Sequence, residues 1–306
     1  MRIKIKIVGV GGAGGNTISR MKKLKIEGVE LIAVNTDFED LKKANADFKL
    51  RIGQKLTQGL GTGMKPELGE MAAKENEKEI ANILKGADLV FITFGGGGGT
   101  GSGAGPVIAE ISRNLGILTL VVATSPFSFE GKTRMEIAKE GFEKMKGKVD
   151  SLITFSNQRL LEILPPETSL EEAFLFSDQI LIEATKTILE LVSAGGVIKV
   201  NFADLKSILK DSGRAIFSFG QASGEGRVEK VVQATLSSPL LGWQPKGAKG
   251  VLFYISGKDF SLSEVEEIGR LIKKEVDPQA KIIFGANQEK EMKEGEIKLR
   301  LIATRF

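Results

Sequence analysis

Hydrophobic and polar positions alternate at the start of the chain and then give way to glycine. Isoleucines alternate with Lys and Arg over residues 2–8, and a glycine-rich segment follows at residues 9–15. This pattern predicts a strand that leads into a tight loop, followed by a helix through Met21. Apolar runs predict further strands at residues 29–34, 87–94, 116–123 and 149–155, with an amphipathic helix at 132–146.

A second glycine-rich segment follows the strand predicted at 87–94. Residues 95–99 are five consecutive glycines, and Thr100, Gly101, Ser102 and Gly103 come directly after them. We expect the five glycines to form a loop and to have no packing use, with Pro106 in the first turn of the next helix. Because strands alternate with helices, the fold class predicted here is α/β, with a Rossmann-like parallel sheet covered on both faces.

The middle of the chain predicts one long helix. Thr168 and Glu171 have the spacing of a capping box, and apolar residues then keep helical spacing to about residue 192. We expect a break near Ser177 and an end at Gly195–Gly196. Since the helix is apolar on much of its circumference, it is predicted to be buried between two domains.

The second half of the chain predicts a smaller mixed α/β domain. The predicted domains are therefore an N-terminal one at 1–173, a central helix at 174–194 and a C-terminal domain at 195–306. Within the C-terminal domain, we expect helices at 203–210 and 227–236 and another capped by Ser261–Glu264. Strands are expected at 214–219, 250–255, 281–285 and 296–304.

Composition excludes several kinds of chemistry. The 306 residues contain no Cys and no His, so disulfides, thiolate or imidazole catalysis and Cys/His zinc sites are excluded. The net charge of +4 is small and Lys is scattered among Glu, so no nucleic-acid partner is expected. No apolar run is long enough to span a membrane, which predicts no direct membrane contact and a cytoplasmic protein.

Two glycine-rich segments after two strands predict a site for phosphate groups. They supply two converging sets of backbone N–H donors, as a nucleoside di- or triphosphate requires. The hydroxyls of Thr100 and Ser102 are candidates for phosphate or Mg²⁺. A Walker A loop is excluded because Pro126 occupies the position of its first glycine, so a surface helix is predicted to begin near Lys132.

An alternative site is a nicotinamide dinucleotide site. The spacing Gly9-x-Gly11-x-x-Gly14, with Asp37 further on, fits the dinucleotide-binding fingerprint and would indicate an oxidoreductase. This alternative leaves the second glycine segment unexplained.

A series of motifs in order resembles the tubulin/FtsZ family, and the bacterial FtsZ proteins in particular. The resemblance runs from about Ile3 to Thr304. Its motifs are residues 9–16, Val34-Asn35-Thr36-Asp37, Gly59-Leu60-Gly61-x-Gly63-x-x-Pro66, Gly97-Gly98-Gly99-Thr100-Gly101-Ser102-Gly103, Pro126-Phe127-x-Phe129-Glu130-Gly131-Lys132, Asn157, Phe202-Ala203-Asp204 and residues 237–241.

This resemblance implies a GTPase of the cell-division cytoskeleton. It implies GTP or GDP with Mg²⁺ as ligands, no protein side-chain ligand for the metal, and a head-to-tail homopolymer in which the neighbouring subunit completes each site. Division-machinery proteins are further possible partners. The residues that the resemblance assigns to nucleotide binding, at the phosphates and the ribose side, are Gly11, Gly12, Ala13, Gly14, Gly15, Asn16, Gly63, Gly97, Gly98, Gly99, Thr100 and Gly101.

The same resemblance assigns the rest of the nucleotide. Glu130 and Arg134 would reach the ribose, and Asn157, Phe174 and Asp178 would hold guanine. A carboxylate accepts from the N1–H and amine of guanine, and an aromatic ring stacks on a base. Taken one by one, Phe174 is equally a core residue, and Glu130 with Arg134 a surface ion pair.

The loop after the central helix departs from the family. The family pattern is Asn-x-Asp-Phe-Ala-Asp, whereas this chain has Lys199-Val200-Asn201-Phe202-Ala203-Asp204. Lys199, Asn201 and Asp204 are the candidate catalytic residues, acting on the neighbour's nucleotide. Because loss of a positioned acid–base group costs about 10²- to 10⁴-fold in rate, slow GTP hydrolysis is predicted. Lys199 would either hold the γ-phosphate or stabilise transition-state charge.

Two readings of this loop remain open beside slow hydrolysis. The changes are either drift in a loop where Asp204 suffices, or the mark of a GTP-binding structural paralogue without meaningful turnover. The chain also stops at Phe306 without the linker and terminal peptide usual in the family, and its pI of about 9.0 is atypically basic.

Overall fold

The computed structural model describes residues 3–25, 28–192, 197–198, 200–238 and 245–305. The chain divides into two units, residues 1–182 and 183–306. The predicted domain limits at 173 and 194, and the burial of the long helix between domains, stay predictions.

The first unit is built on a parallel sheet. Its strands are β1 (Ile5–Val10), β2 (Val29–Asn35), β3 (Phe48–Arg51), β4 (Leu89–Gly95), β5 (Leu118–Ser125) and β6 (Ser151–Ser156). Its helices are α1 (Gly11–Lys23), α2 (Phe38–Lys43), α3 (Gln54–Thr57), α4 (Pro66–Glu75), α5 (Glu77–Leu84), α6 (Gly99–Asn114), α7 (Lys132–Glu143) and the first part of α8 (Leu170–Val192). The 3-10 segments are Ser128–Glu130 and Asn157–Glu162.

The strand order of this unit creates a switch point. The order is β3-β2-β1-β4-β5-β6, and each neighbouring pair is parallel. The chain leaves β1 toward β2 on one side and returns to β4 on the other, so the connections after β1 and β4 diverge. In open α/β sheets a crevice for ligands forms at the carboxyl ends of such strands. The predicted parallel α/β fold is confirmed.

The glycine segments differ from their predicted loops. Helix α1 begins at Gly11 and α6 at Gly99, each directly after a strand or a short turn. Pro106 lies inside α6, not in its first turn. The missing N–H of Pro106 would have bonded the carbonyl of Ser102, one turn earlier. The elements α2 to α5 and β3 lie in a stretch where the sequence patterns predict none.

Helix α8 is continuous through Ser177, so the predicted break is wrong. Its start is capped one residue later than predicted. Ser169 Oγ accepts from the backbone N–H of Glu172 at 3.3 Å, and Glu172 Oε2 accepts from the N–H of Ser169 at 2.9 Å. The predicted stop at Gly195–Gly196 lies outside the described residues.

The second unit is a mixed α/β domain, as predicted. Its sheet order is β7-β10-β8-β9, with β10 antiparallel to both neighbours and β8 parallel to β9. Ser261 and Glu264 form the predicted capping box. The elements are α9 (Phe202–Leu209), β7 (Gly213–Ser223), α10 (Arg227–Leu236), β8 (Gly250–Gly257), α11 (Leu262–Glu275), β9 (Lys281–Gln288) and β10 (Glu296–Thr304).

A buried arginine stabilises this second unit. Arg300 is 2% exposed, and its guanidinium lies 3.2 Å from Glu183 and 3.2 Å from Glu190. Burial alone would raise the pKa of Glu183, but Arg300 and Lys298 together lower it. Burial dominates at Glu190 and raises the pKa of that carboxyl. Removing the arginine would leave these two partly buried carboxylates without their buried partner, with Lys298 still paired to Glu183 and Lys186 to Glu190.

Candidate functional site

A cavity of about 610 Å³ lies in the first unit, where the beginnings of α1 and α6 meet. Its size is in the range of small-molecule sites, about 300–1,000 Å³. It also takes residues from the segment after β5, from the start of the second 3-10 segment and from α8. The predicted nucleotide residues that line it are Gly11, Gly12, Ala13, Asn16, Gly98, Gly99, Thr100, Gly101, Glu130, Arg134, Asn157, Phe174 and Asp178.

Both helices present uncapped N-termini to this cavity. Neither α1 nor α6 has a side-chain cap, and neither has an acidic residue in its first turn. The two starts are in contact, since a Cβ on Gly11 would lie 3.3 Å from the backbone nitrogen of Gly101. The first-turn N–H groups of a helix lack intrahelical partners and carry about half a positive charge. This wall of the cavity is therefore suited to an anion.

The expectation that the glycine run has no packing use is wrong. A Cβ on Gly96 would lie 2.8 Å from Phe142, one on Gly97 2.8 Å from Pro126, and one on Gly99 2.4 Å from Thr62 Oγ1. Gly98 alone of these positions has no atom within 4 Å. At most positions of the run, a side chain would collide with another segment of the chain. At Gly98 a side chain would instead enter the cavity.

Four predicted phosphate residues do not line the cavity. Gly14 is packed against the sheet, since its Cβ would lie 2.6 Å from the carbonyl oxygen of Thr93. Gly15 borders a smaller recess of about 110 Å³ beside α2. Gly63 lies between two lining residues, and the Gly97 N–H donates to Ser102 Oγ at 3.1 Å. Contact of these four with a nucleotide stays a prediction.

The two candidate hydroxyls differ in position. Ser102 is fully buried and does not line the cavity, so the expected contact of its side chain with phosphate or Mg²⁺ is not supported. Thr100 does line the cavity. Its Oγ1 lies 2.7 Å from Thr36 Oγ1 and 3.5 Å from Thr62 Oγ1. Thr62 is a second lining hydroxyl, and sequence reasoning missed it.

The far end of the cavity carries an amide and a carboxylate. Asn157 Oδ1 accepts from Ser177 Oγ at 2.8 Å, so its amide N–H groups remain as donors. Asp178 Oδ1 accepts from Thr17 Oγ1 at 2.6 Å, and Asp178 also pairs with the guanidinium of Arg20. A carboxylate has about four lone-pair sites, so both oxygens can still accept further bonds. One donor and one acceptor side by side match the polar edge of guanine.

Phe174 lines the same cavity and is exposed. Its ring meets the ring of Phe127 edge to face, with centroids 5.5 Å apart. This packing fixes the orientation of Phe174 while it still lines the cavity. Phe174 is therefore not a core residue, and stacking of its ring on a base stays a prediction.

Glu130 and Arg134 form the ion pair expected from their spacing. Arg134 Nη1 donates to Glu130 Oε2 at 2.8 Å, while Glu130 Oε1 accepts from the N–H of Phe127 at 2.8 Å. Both side chains line the cavity. Contact of this pair with a ribose stays a prediction.

Arg20, which sequence reasoning missed, adds a cation to the cavity. Burial lowers the pKa of Arg20, and the nearby Glu171 carboxylate opposes that shift. Both residues line the cavity. Their signal in the sequence is helical spacing, because Arg20 lies one turn after Asn16 on α1 and Glu171 one turn before Phe174 and two before Asp178 on α8.

The acid of the dinucleotide fingerprint has another use. Asp37 caps α2, where its Oδ1 accepts from the N–H of Asp40 at 3.0 Å, and it does not line the cavity. The oxidoreductase alternative therefore loses the residue that would bind the ribose of a nicotinamide dinucleotide.

The candidate catalytic residues lie at the start of α9, in the second unit. Asn201 is the N-cap of α9, and its Oδ1 accepts from the N–H of Asp204 at 2.7 Å. Asp204 is the third residue of the helix, where the helix dipole favours a carboxylate. Lys199 lies outside the described residues.

The cavity fits a guanine nucleotide better than it fits a bare metal ion. Its uncapped helix starts suit phosphate groups, and the Asn157 amide with the Asp178 carboxylate suits the polar edge of guanine. Among the described residues, no group of three or more acidic side chains could hold a metal ion. Mg²⁺ would therefore be held largely through the phosphates it accompanies, which is its usual mode in nucleotide sites.

Comparison with known proteins identifies both halves of the chain. Residues 4–165 match the Tubulin/FtsZ family, GTPase domain, and residues 213–306 match the FtsZ family, C-terminal domain. Cell division protein FtsZ 1 of Thermococcus kodakarensis is 43% identical over 95% of this chain and 78% of its own length. Cell division protein FtsZ 1 of Methanocaldococcus jannaschii is 43% identical over 99% of this chain and 83% of its own length.

Solved structures agree. An empty FtsZ dimer from M. jannaschii has a TM-score of 0.94 and 43% identity, covering 99% of this chain and 88% of its own. CetZ2 from Haloferax volcanii, in a GTPγS-bound protofilament, has a TM-score of 0.80 over 98% of this chain and 92% of its own, but only 22% identity, so it supports the fold alone.

These matches confirm the predicted fold and, at the level of the family, the prediction of an FtsZ-type cytoskeletal GTPase. The resemblance to bacterial FtsZ in particular is not supported, because these relatives are archaeal. No helix in the described ranges has the length and apolar character of a membrane span. The chain belongs to the tubulin/FtsZ family, with the GTPase domain of that family in its first half and the C-terminal domain of the FtsZ proteins in its second.

Proposed function

We propose that this chain is a cell-division GTPase that binds GTP with Mg²⁺ in the cavity of its first unit. In this proposal, copies of the chain assemble head to tail, and each nucleotide is hydrolysed slowly at the junction between two copies. The relatives named above are cell division proteins, and one is a dimer in its solved structure. Both observations support the proposal.

The observation that carries the proposal is the pair of uncapped helix starts. Their unpaired N–H groups meet at one wall of a cavity whose other end has the Asn157 amide and the Asp178 carboxylate. The distribution of polar groups thus matches a molecule with an anionic tail and a base that both donates and accepts. Adenine lacks the adjacent pair of donors that a carboxylate would bind, so guanine is favoured.

The chain's own residues would act by positioning. The first turns of α1 and α6 bind phosphate oxygens, Glu130 and Arg134 orient the ribose, and Phe174 stacks on the base. Mg²⁺, when bound, supplies neutralising charge to the phosphates. Phosphoryl transfer depends mainly on such positioning and charge stabilisation.

Hydrolysis would need residues from a neighbouring copy. Asp204 would orient the attacking water there, and Asn201 would hold the start of α9 in place. Asn201 is an amide where the family pattern has an acid, so one water-orienting carboxylate is missing. This supports slow turnover, with Lys199 contributing positive charge near the γ-phosphate.

A second candidate is a filament-forming paralogue that binds GTP without meaningful turnover. The specific observation in its favour is that the Asn201 side chain is already engaged as a helix cap. In both candidates the protein is cytoplasmic, has no direct membrane or nucleic-acid contact and assembles with itself, and division-machinery proteins are further partners.

Phosphate release measured together with pelleting tests both candidates. With GTP and Mg²⁺, we expect polymer that pellets, with phosphate release well below one per minute per subunit, and none from Asp204→Ala. Turnover of several per minute, abolished by Asp204→Ala, would contradict slow hydrolysis. Pelleting with no release at all would favour the paralogue, and absence of both GTP binding and assembly would end the proposal.

A further inference from the structure

Three buried threonine hydroxyls lie beside the anion-binding wall. Thr100 and Thr62 line the cavity, whereas Thr36, directly after β2, does not and is fully buried. The Oγ1 atoms of Thr36 and Thr100 are 2.7 Å apart. The Thr57 hydroxyl lies 3.3 Å from the carbonyl oxygen of Thr36 and 3.1 Å from that of Gly53, so its one proton serves two acceptors.

The protons of these hydroxyls determine what Thr100 can bind. Each hydroxyl has one proton to donate and two lone pairs. A phosphate oxygen only accepts, so Thr100 must give its proton to it, and Thr36 must then donate to Thr100. A metal ion at Thr100 would occupy one lone pair and leave the direction of the bond between the two threonines open. When Thr100 donates to a phosphate, the 2.7 Å contact between the two hydroxyls can be a hydrogen bond only if Thr36 donates to Thr100.

The surroundings favour the phosphate arrangement. Thr100 is the second residue of α6, whose start is uncapped and has no acidic residue in its first turn. The positive end of the helix dipole attracts an anion and repels a cation. Thr36 is also well placed to hold the Thr100 hydroxyl toward the cavity, because its Oγ1 is 2.7 Å from that of Thr100, whereas the Oγ1 of Thr62 is further away at 3.5 Å.

We propose that Thr36 is a positioning residue that, by donating its proton to Thr100, directs the Thr100 hydroxyl to a nucleotide phosphate. This inference rests on the proposed GTP site and adds a residue outside its lining. Thr36 itself touches no nucleotide. Its effect should therefore pass entirely through Thr100.

Calorimetric titration with GDP, with EDTA or with Mg²⁺, tests this proposal in the full chain. Thr36→Val removes the hydroxyl at nearly constant shape, and we expect the Kd for GDP to rise about fivefold in both buffers, the scale of one hydrogen bond. Thr36→Ser keeps the hydroxyl and should stay within about twofold of the original Kd. If Thr36→Val does not fold, Thr36→Ala takes its place.

Thr119→Val is the matched control for buried hydroxyl loss. Thr119 is fully buried, lies 2.8 Å from Ser112 Oγ and does not line the cavity. Its replacement should lower the melting temperature without changing the Kd. In the background of Thr100→Val, Thr36→Val should add less than about twofold, whereas a merely structural role would give the same loss in both backgrounds.

Each other outcome overturns the proposal. One such outcome is an equal loss of GDP affinity for Thr36→Val and Thr119→Val. A second is a loss of affinity that persists without the Thr100 hydroxyl. A third is a loss of affinity seen only with Mg²⁺, which would assign Thr100 to the metal. If the unmodified chain did not bind GDP at all, the proposed function would fail instead, so the two failures are distinguishable.

Discussion

Gly98 and Gly99 are adjacent in the sequence, yet their surroundings are opposite. A Cβ on Gly98 would meet no atom within 4 Å, whereas one on Gly99 would lie 2.4 Å from Thr62 Oγ1 and 2.7 Å from the backbone nitrogen of Lys65. Gly98 is thus open toward the cavity, and Gly99 is fixed by the segment that precedes α4. Neighbouring residues of one motif therefore serve ligand access and chain packing separately.

This difference predicts different effects of adding one methyl group. Gly99→Ala should lower the free energy of unfolding by about 1–3 kcal/mol, because backbone atoms on both sides cannot move apart without cost. Gly98→Ala should change stability by less than about 0.5 kcal/mol and weaken nucleotide binding instead. Urea unfolding and GDP titration of both variants check this, and equal destabilisation by the two would contradict it.

Sequence reasoning identified most residues that line the cavity, but it did not distinguish those that face the cavity from those that pack against other segments. Gly97 and Gly98 look alike in a glycine run, and only the tertiary contacts with Pro126 and Arg134 separate them. Thr36, Thr62 and Thr100 come from three distant parts of the chain, so no local pattern could show that their hydroxyls meet. Arg20 could have been found from the sequence, because it lies one helical turn after Asn16 on α1. Composition and motif matching do not use this spacing.

At the scale of elements, α9 shows how one residue can satisfy local structure and change chemistry. Asn201 caps the helix through its side-chain oxygen, and aspartate caps a helix about equally well. The fold of this element therefore does not distinguish the amide found here from the acid of the family pattern. What distinguishes them is the negative charge and the ability to orient water.

Asn201→Asp should accordingly raise GTP hydrolysis without loss of stability. We expect phosphate release to rise about 100-fold, the lower end of the effect of a positioned acid–base group, because a carboxylate is added while the cap is kept. Asn201→Ala, the matched control, should lose about 1 kcal/mol of stability and gain no activity. An unchanged rate in the aspartate variant would show that Asp204 does the work alone.

Element boundaries were predictable where hydrophobic periodicity was strong. Helix α10 begins and ends where the pattern placed it, and β10 also has the predicted limits. The glycine segments failed this reasoning, because low helix propensity predicts loops at residues that begin α1 and α6. Close packing and the neighbouring strands override that propensity, as they also keep Pro106 inside α6.

At the scale of the whole molecule, the proposed function makes the first unit insufficient for hydrolysis by itself. The cavity is lined by residues of the first unit, whereas Asn201 and Asp204 belong to the second. The proposed function joins them through a neighbouring copy. This makes a prediction about mixtures of two inactive variants.

Asp178→Ala should lose guanine binding but keep its catalytic loop, and Asp204→Ala should bind GTP but lack that loop's acid. Mixed together, they should hydrolyse GTP faster than the sum of the two alone, because the first completes the site of the second. Phosphate release across mixing ratios checks this. Replacing the first variant by Asp178→Ala/Asp204→Ala should abolish the gain, and an equal gain with it would exclude action between subunits.

The paired helix starts of α1 and α6 also have a consequence for the protein without its ligand. Each start carries about half a unit of positive charge, the two lie in contact, and neither has a side-chain cap or an acidic residue in its first turn, so the like charges repel each other. A bound polyanion relieves this repulsion and so belongs to the stable architecture of the first unit as much as to its chemistry. Removal of the guanosine phosphate during purification should therefore lower the melting temperature of the protein. Sulfate or phosphate in the buffer should restore part of that stability.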